Sequence, residues 1–195
     1  MTDDAMLNNP IANDASTQTM AIILAAGRGS RMQSDRPKVL LPALGRPLVA
    51  HVIDALLTAG IQKIVLVVGY QQQLVKTELN GYSNLTFVTQ QEQLGTGHAV
   101  QMCDTQLKQH SGPVIVVTGD SPLIQPESIK SLLAEFQTMQ ASCILGSLHH
   151  DDPTGLGRIV RDQQGFFTGI VEQKDATEPQ KNITEVNMST YVFDS

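Results

Sequence analysis

Two cationic side chains, Arg31 and Lys38, follow a turn of small residues spelled Leu24-Ala25-Ala26-Gly27-Arg28-Gly29-Ser30. Small residues let a backbone approach a ligand closely, and consecutive N–H groups in such a turn form a concavity for anions. With a guanidinium and an ammonium close behind, the chemistry suggested is the holding of a triphosphate. The spacing excludes two common phosphate loops. Met32 stands where a dinucleotide fingerprint needs its third glycine, and no Gly-Lys-Ser/Thr of a P-loop is present. A tight strand-to-helix connection with a surface arginine would carry the same letters, so the rest of the chain must decide.

Further segments carry groups suited to the same task. In Gln90-Gln91-Glu92-Gln93-Leu94-Gly95-Thr96-Gly97-His98-Ala99 an amide can read one edge of a base while Gly95 admits close backbone contact. The same letters also describe a polar loop with Thr96 capping the next helix. In Thr118-Gly119-Asp120-Ser121-Pro122-Leu123 a carboxylate ends an apolar strand and could hold a hard divalent ion against phosphate oxygens, or simply cap a turn. Asp152-Pro153-Thr154-Gly155-Leu156-Gly157-Arg158-Ile159 offers the Gly157 backbone to a polar substituent. Gly169-Ile170-Val171-Glu172-Gln173-Lys174-Asp175-Ala176 offers a carboxylate, Glu172, to sugar hydroxyls, and Glu185-Val186-Asn187 offers an amide. Each of these last three also reads as a loop or charged strand edge.

The elements that must position these groups are legible as apolar runs alternating with amphipathic stretches. Strands are expected at 21–24, 64–68, 85–89, 114–117 and 143–148, and helices at 48–58, 72–79, 97–107 and 126–138. Pro47 and Pro126 suit helix starts, and Gly60 suits a stop. Such alternation implies a mostly parallel sheet covered on both faces, a three-layer Rossmann-like α/β fold, with ligands at the carboxyl ends of the strands. Around Asp162-Gln163-Gln164-Gly165, segments 157–161 and 166–171 read as a small β insertion. A last strand is expected at 190–193. Residues 1–19 read as a disordered tail, and 20–195 as one domain.

With 195 residues, 41% of them hydrophobic, the chain can bury one substantial core. Its net charge of −6 argues against a general nucleic-acid or anionic-membrane surface. The polar, acidic leader lacks the features of a secretory signal, and no run is long enough to span a membrane, so a cytoplasmic setting is expected. Cys103 and Cys143 have no metal spacing and fit a reduced compartment. Association into a homo-oligomer is allowed. The adjacent pair His149-His150 points to opposite faces of an extended chain and is not read as a joint metal site.

Taken together, Leu-Ala-Ala-Gly-x-Gly-x-Arg-Met, Pro-Lys-Val-Leu, Glu-Gln-Leu-Gly-Thr-Gly-His-Ala, Gly-Asp-x-Pro-Leu-Ile, Asp-Pro-Thr-Gly-x-Gly-Arg-Ile and Gly-Ile-Val-Glu-x-Lys-Asp-Ala closely resemble the pyrophosphorylase domain of bacterial N-acetylglucosamine-1-phosphate uridyltransferase. The agreement in order and spacing runs from about Met20 to the last residue. The resemblance implies transfer of UMP from UTP to N-acetylglucosamine 1-phosphate, giving UDP-N-acetylglucosamine, a cell-wall precursor, and pyrophosphate. It implies that the backbone of Leu24, Ala25, Ala26, Gly27 and Gly29, with Gln90, Gly95 and Thr96, holds the nucleotide. Arg31 and Lys38 would grip the triphosphate, Asp120 would bind Mg²⁺, and Gly157, Glu172 and Asn187 would bind the sugar.

The family domain continues for several tens of residues beyond the point matching Ser195 and carries a second metal-binding Asn there. The expectation is therefore a domain truncated at its C-terminus that binds nucleotide better than it turns it over. Thr118 stands where the family often carries Tyr. Two other readings compete: a related nucleotidyltransferase with a different base or sugar, and a non-catalytic nucleotide-binding module.

Overall fold

The computed structural model describes residues 19–29 and 34–195. Residues 1–18, all of the expected tail except Thr19, lie outside this range, as does Arg31; Thr19 itself is buried immediately before Met20. Four apolar runs form parallel strands: β1 (Met20–Ala25), β4 (Lys63–Val68), β5 (Leu85–Thr89) and β6 (Pro113–Thr118). Between β1 and β4 lies a two-stranded hairpin, β2 (Pro42–Ala43) with β3 (Arg46–Pro47). The other half of the sheet comes from β7 (Cys143–His149), β8 (Arg158–Arg161), β9 (Phe167–Val171) and β10 (Glu185–Asp194). Across the sheet the order is β5-β4-β1-β6-β10-β8-β9, with β7 paired to β10.

The three inner parallel strands, β1, β4 and β6, are apolar on both faces because both are covered, while β5 at the sheet edge is only partly buried. Ala21 and Ile23 of β1, Ile64 and Leu66 of β4, and Ile115 and Val117 of β6 enter one core. Their neighbours Met20, Ile22, Val65, Val67, Val114 and Val116 enter the other. That alternation is the two-residue period of a strand, here with apolar residues in both phases. Helices α1 (Leu48–Thr58), α2 (Gln72–Glu78) and α5 (Pro126–Met139) contribute to the first core, while α3 (Thr96–Gln101) covers the second. The three-layer α/β architecture is therefore as the sequence implied. No helix among the described residues is long and apolar enough to cross a membrane.

Three local departures have physical causes. The single helix expected over 97–107 is two, α3 and α4 (Asp104–Lys108). At the join the Cys103 amide bonds to Val100 O at 2.9 Å, one residue short of the α spacing, as its side chain buries completely against the sheet. Burial also pushes the Cys103 thiol up to about 11. The last strand is longer than expected and carries a bulge between Asn187 and Tyr191, where Ser189 adopts a φ of 53°. A short helix, α6 (Glu178–Lys181), is closed by a capping box in which Thr177 and Gln180 satisfy each other's backbone amides.

An Arg161–Glu185 pair ties the β8 end of the insertion to β10. Arg161 Nε donates to Oε2 and Nη2 to Oε1, both at 2.8 Å, while Ser147 Oγ also donates to Oε1. The Arg161 hydrogen bonds outweigh the opposing effect of burial and hold the Glu185 carboxyl at about 2, against an ordinary 4.5. A depressed folded-state pKa contributes stability that is present above the unfolded value and lost as pH falls through the folded one. Glu185→Gln should therefore lower the unfolding temperature above pH 4.5, and the difference from the unaltered protein should shrink as pH approaches 2. A difference that stayed constant in thermal scans across this window would contradict that assignment.

Candidate active site

The carboxyl ends of β1, β4, β5 and β6 lie along one edge of the sheet because these strands run parallel. Their loops are knitted there by the backbone. Gly119 N bonds to Leu24 O at 2.9 Å, Gln90 N to Val68 O at 2.8 Å and Tyr70 N to Ala26 O at 3.1 Å. These loops enclose a cavity of about 240 Å³ lined by Leu24, Ala26, Gly27, Gln90, Gln93, Gly95, Thr96, Ala99 and Thr118. Six of the lining residues are ones the sequence singles out for nucleotide: Leu24, Ala26, Gly27, Gln90, Gly95 and Thr96. Ala25 turns its side chain into the core on the other face of the sheet. Gln93, Ala99 and Thr118 were not assigned in advance. Gln93 could have been, since it is a further amide in the same segment, and its Nε2 donates to Ala26 O at 2.8 Å.

Gln90 is 4% exposed. A buried amide must find partners, and its Nε2 donates to Gly95 O at 3.2 Å and meets His98 Nδ1 at 2.9 Å. Gly69 shows how closely the loops approach. A Cβ there would fall 2.9 Å from Ala26 O and 3.0 Å from Gln90 O, both backbone atoms that move only with their strands. Gly69→Ala gains about half a kcal/mol by restricting the unfolded chain, but overpacking of this kind costs about 1–3 kcal/mol. The net expectation is a loss of about 1–2 kcal/mol, read as a lower denaturation midpoint. An unchanged or raised midpoint would refute it.

Lys38 opens a short 3₁₀ turn, Lys38–Leu40, whose Val39 and Leu40 are buried. Gly119 lies beneath that turn: a Cβ on it would come 3.1 Å from Val39 Cγ1. The preceding loop is fastened to both ends of α2: just before its start the Tyr70 hydroxyl and the Gln71 amide donate to Asp35 O, and at its last residue Glu78 pairs with Arg36 at 2.6 Å. Gly29 (φ +68°) abuts Lys38 so closely that an added Cβ would lie 2.6 Å from Lys38 Cβ. Lys38 Nζ is thus delivered to Asp120 Oδ2 at 2.5 Å, with both side chains about one third exposed. Burial pushes the Asp120 carboxyl up, but the Lys38 ammonium and the Thr118 hydroxyl together hold it below the usual carboxylate range. Since Thr118 lines the cavity and touches Asp120, this ion pair sits at the cavity's β6 side.

The three residues read for sugar also come together. A Cβ on Gly157 would lie 3.3 Å from Glu172 Oε1 and 3.6 Å from Asn187 Cβ, and Asn187 N bonds to Gly157 O at 2.8 Å. The Asn187 side chain is partly engaged in its own bulge, with Nδ2 donating to the Tyr191 hydroxyl and Oδ1 accepting from Ser189 N. Arg158 is buried beside this cluster, donating to Leu156 O, Gln173 Oε1 and Lys181 O. Because β6 lies between β1 and β10, Asp120 follows the strand that separates the cavity from the Gly157–Glu172–Asn187 cluster. The arrangement can hold an anionic ligand in the cavity and a polar one beyond β6, with a cation and a carboxylate between them.

The MobA-like NTP transferase domain matches residues 21–162. The chain is 44% identical to the bifunctional protein GlmU of Exiguobacterium sp. over 178 residues, which is 91% of this chain and 39% of that protein. It is 46% identical to the GlmU of Exiguobacterium sibiricum over 175 residues, 90% of this chain and 38% of the relative. The chain thus spans about two fifths of the length of these relatives. Among solved structures, a UDP-glucose pyrophosphorylase complexed with UDP-glucose superposes with a TM-score of 0.73 at 19% identity, covering 90% of this chain and 76% of that one. A putative glucose-1-phosphate thymidylyltransferase from Bacillus anthracis gives 0.73 at 22% identity, covering 90% and 71%. At such identities the likeness is one of fold.

Proposed function

Because the chain belongs to the MobA-like NTP transferase domain family, we propose that its sheet-edge cavity is a UTP site. In this reading the protein transfers UMP to N-acetylglucosamine 1-phosphate and releases pyrophosphate. The observation that carries it is the meeting of six nucleotide-assigned positions around one cavity, with the Lys38–Asp120 pair on its border. Gln90, Gly95 and Thr96 take the base. The backbone of Leu24 to Gly27 and the Gly29 turn receive ribose and phosphate oxygens, and Arg31 and Lys38 grip the triphosphate. Gly157, Glu172 and Asn187 bind the acetylated sugar beyond β6.

The acceptor phosphate is already an anionic nucleophile, so no general base is needed. One of its oxygens bonds to the α-phosphorus as the α–β bridging bond breaks, and the electron pair leaves with pyrophosphate. Two obstacles remain: repulsion between anions and charge growing on the leaving group. Holding the reactants in line with cations fixed beforehand answers both. Lys38 is pre-positioned by its buried neighbours, and it can exchange Asp120 for a phosphate oxygen when nucleotide arrives.

Asp120 is the residue that would hold Mg²⁺. Among the described residues no cluster of three His, Cys, Asp or Glu forms a self-sufficient metal centre. A single carboxylate joined by substrate phosphates is an ordinary ligand set for this ion, and an Asp120 kept ionised suits it. Bound there, the ion would supply charge neutralisation on the triphosphate. We place the reaction in the cytoplasm, with small-molecule partners and no nucleic acid or membrane.

Pyrophosphate release across a panel of nucleoside triphosphates and sugar 1-phosphates tests this reading. UTP with N-acetylglucosamine 1-phosphate should give the highest kcat/KM. A higher value for another base or sugar would reassign the substrates.

A further inference from the structure

Two groups converge on the amide nitrogen of Gln90, the Gly95 carbonyl oxygen at 3.2 Å and His98 Nδ1 at 2.9 Å. A carbonyl oxygen can only accept, so the amide edge facing Gly95 must be the NH₂. A ring nitrogen facing that same NH₂ must accept as well, which leaves Nδ1 bare and puts the ring proton of His98 on Nε2. Both amide hydrogens are then committed. Among the described residues no hydrogen bond engages Gln90 Oε1, and that oxygen is not among the buried unpartnered atoms. In a side chain that lines the cavity, Oε1 is the atom left for a ligand.

We propose that His98 is a positioning residue that sets base selectivity, by fixing the Gln90 amide so that the cavity presents an acceptor and no donor at this point. The proposal rests on the cavity being the nucleotide site. Uracil and thymine carry an N–H at ring position 3, which an acceptor can receive. Cytosine carries a bare nitrogen there, so two lone pairs would face each other. Its exocyclic amine could reach Oε1 only if the ring slid by one position inside a cavity of about 240 Å³. Among purines adenine has a bare N1 that the same acceptor rejects, whereas guanine carries an N1–H, so this amide discriminates among pyrimidines and against adenine but not against guanine. The selectivity therefore lies in which end of one amide faces inward, and His98 with the Gly95 carbonyl holds that end.

Two measurements on the full chain test it. In the unaltered protein, ¹⁵N NMR of the imidazole should show His98 with its proton on Nε2, and a proton on Nδ1 would overturn the proposal. Calorimetric titration with UTP and CTP should show preference for UTP. His98→Leu, which offers no acceptor, should narrow that preference roughly tenfold, the worth of one hydrogen bond. His98→Asn, whose Oδ1 can accept, should restore most of it. An undiminished preference in His98→Leu overturns the positioning role alone. Failure of the unaltered protein to bind UTP overturns the functional reading, and the proposal with it.

Discussion

Asp120→Asn should lower UMP transfer on the order of 10²–10³-fold, the loss seen when one preorganised charge-stabilising group is removed. The substitution keeps the side chain's volume and its contact with Thr118 but takes away the negative charge. It also frees Lys38, whose ammonium is otherwise 2.5 Å from Asp120 Oδ2. An unpaired ammonium binds a triphosphate at least as well as a paired one. Binding and turnover should therefore separate: the Kd for UTP without metal should hold or tighten while kcat collapses. Titration beside a pyrophosphate-release assay reads both. If turnover stayed within a few-fold of the unaltered protein, Asp120 would be a turn aspartate and no more.

Arg31→Ala should also cost on the order of 10²–10³ in rate. Arg31 lies outside the described residues, so the argument comes from its place in the chain, two residues beyond a turn whose Gly29 abuts Lys38. A guanidinium there can spread two donors over phosphate oxygens, which an ammonium cannot. Arg31→Lys should therefore recover only part of the loss. Steady-state turnover of Arg31→Ala within a few-fold of normal would make this residue a bystander.

What the sequence revealed depended on whether the governing interaction was local. The buried strands were legible because apolar residues in both phases leave no reading other than a sheet covered on both faces. Helix α1 was legible to its ends because Pro47 and Gly60 bracket it. The break at Cys103 was not, since no breaker residue marks it and the cause is the burial of one thiol against the sheet. The cap of α6 was present as Thr177 and Gln180, three apart, and could have been found.

In the site, glycine spacing pointed to the cavity because backbone approach is a property of residue type. The Lys38–Asp120 contact joins distant segments and is created by Val39 packing over Gly119, so no periodicity could encode it. The same holds for Thr118 as a lining residue and for Arg158 as a buried cation, each set by which strand becomes whose neighbour.

The most direct test is a crystal structure of this chain with a non-hydrolysable UTP analogue and Mg²⁺. The uracil should lie in the cavity against Gln90, Gly95 and Thr96, with the triphosphate running to Lys38 and the ion on Asp120. A nucleotide bound elsewhere, or one whose phosphates leave Lys38 and Asp120 paired with each other, would contradict the account.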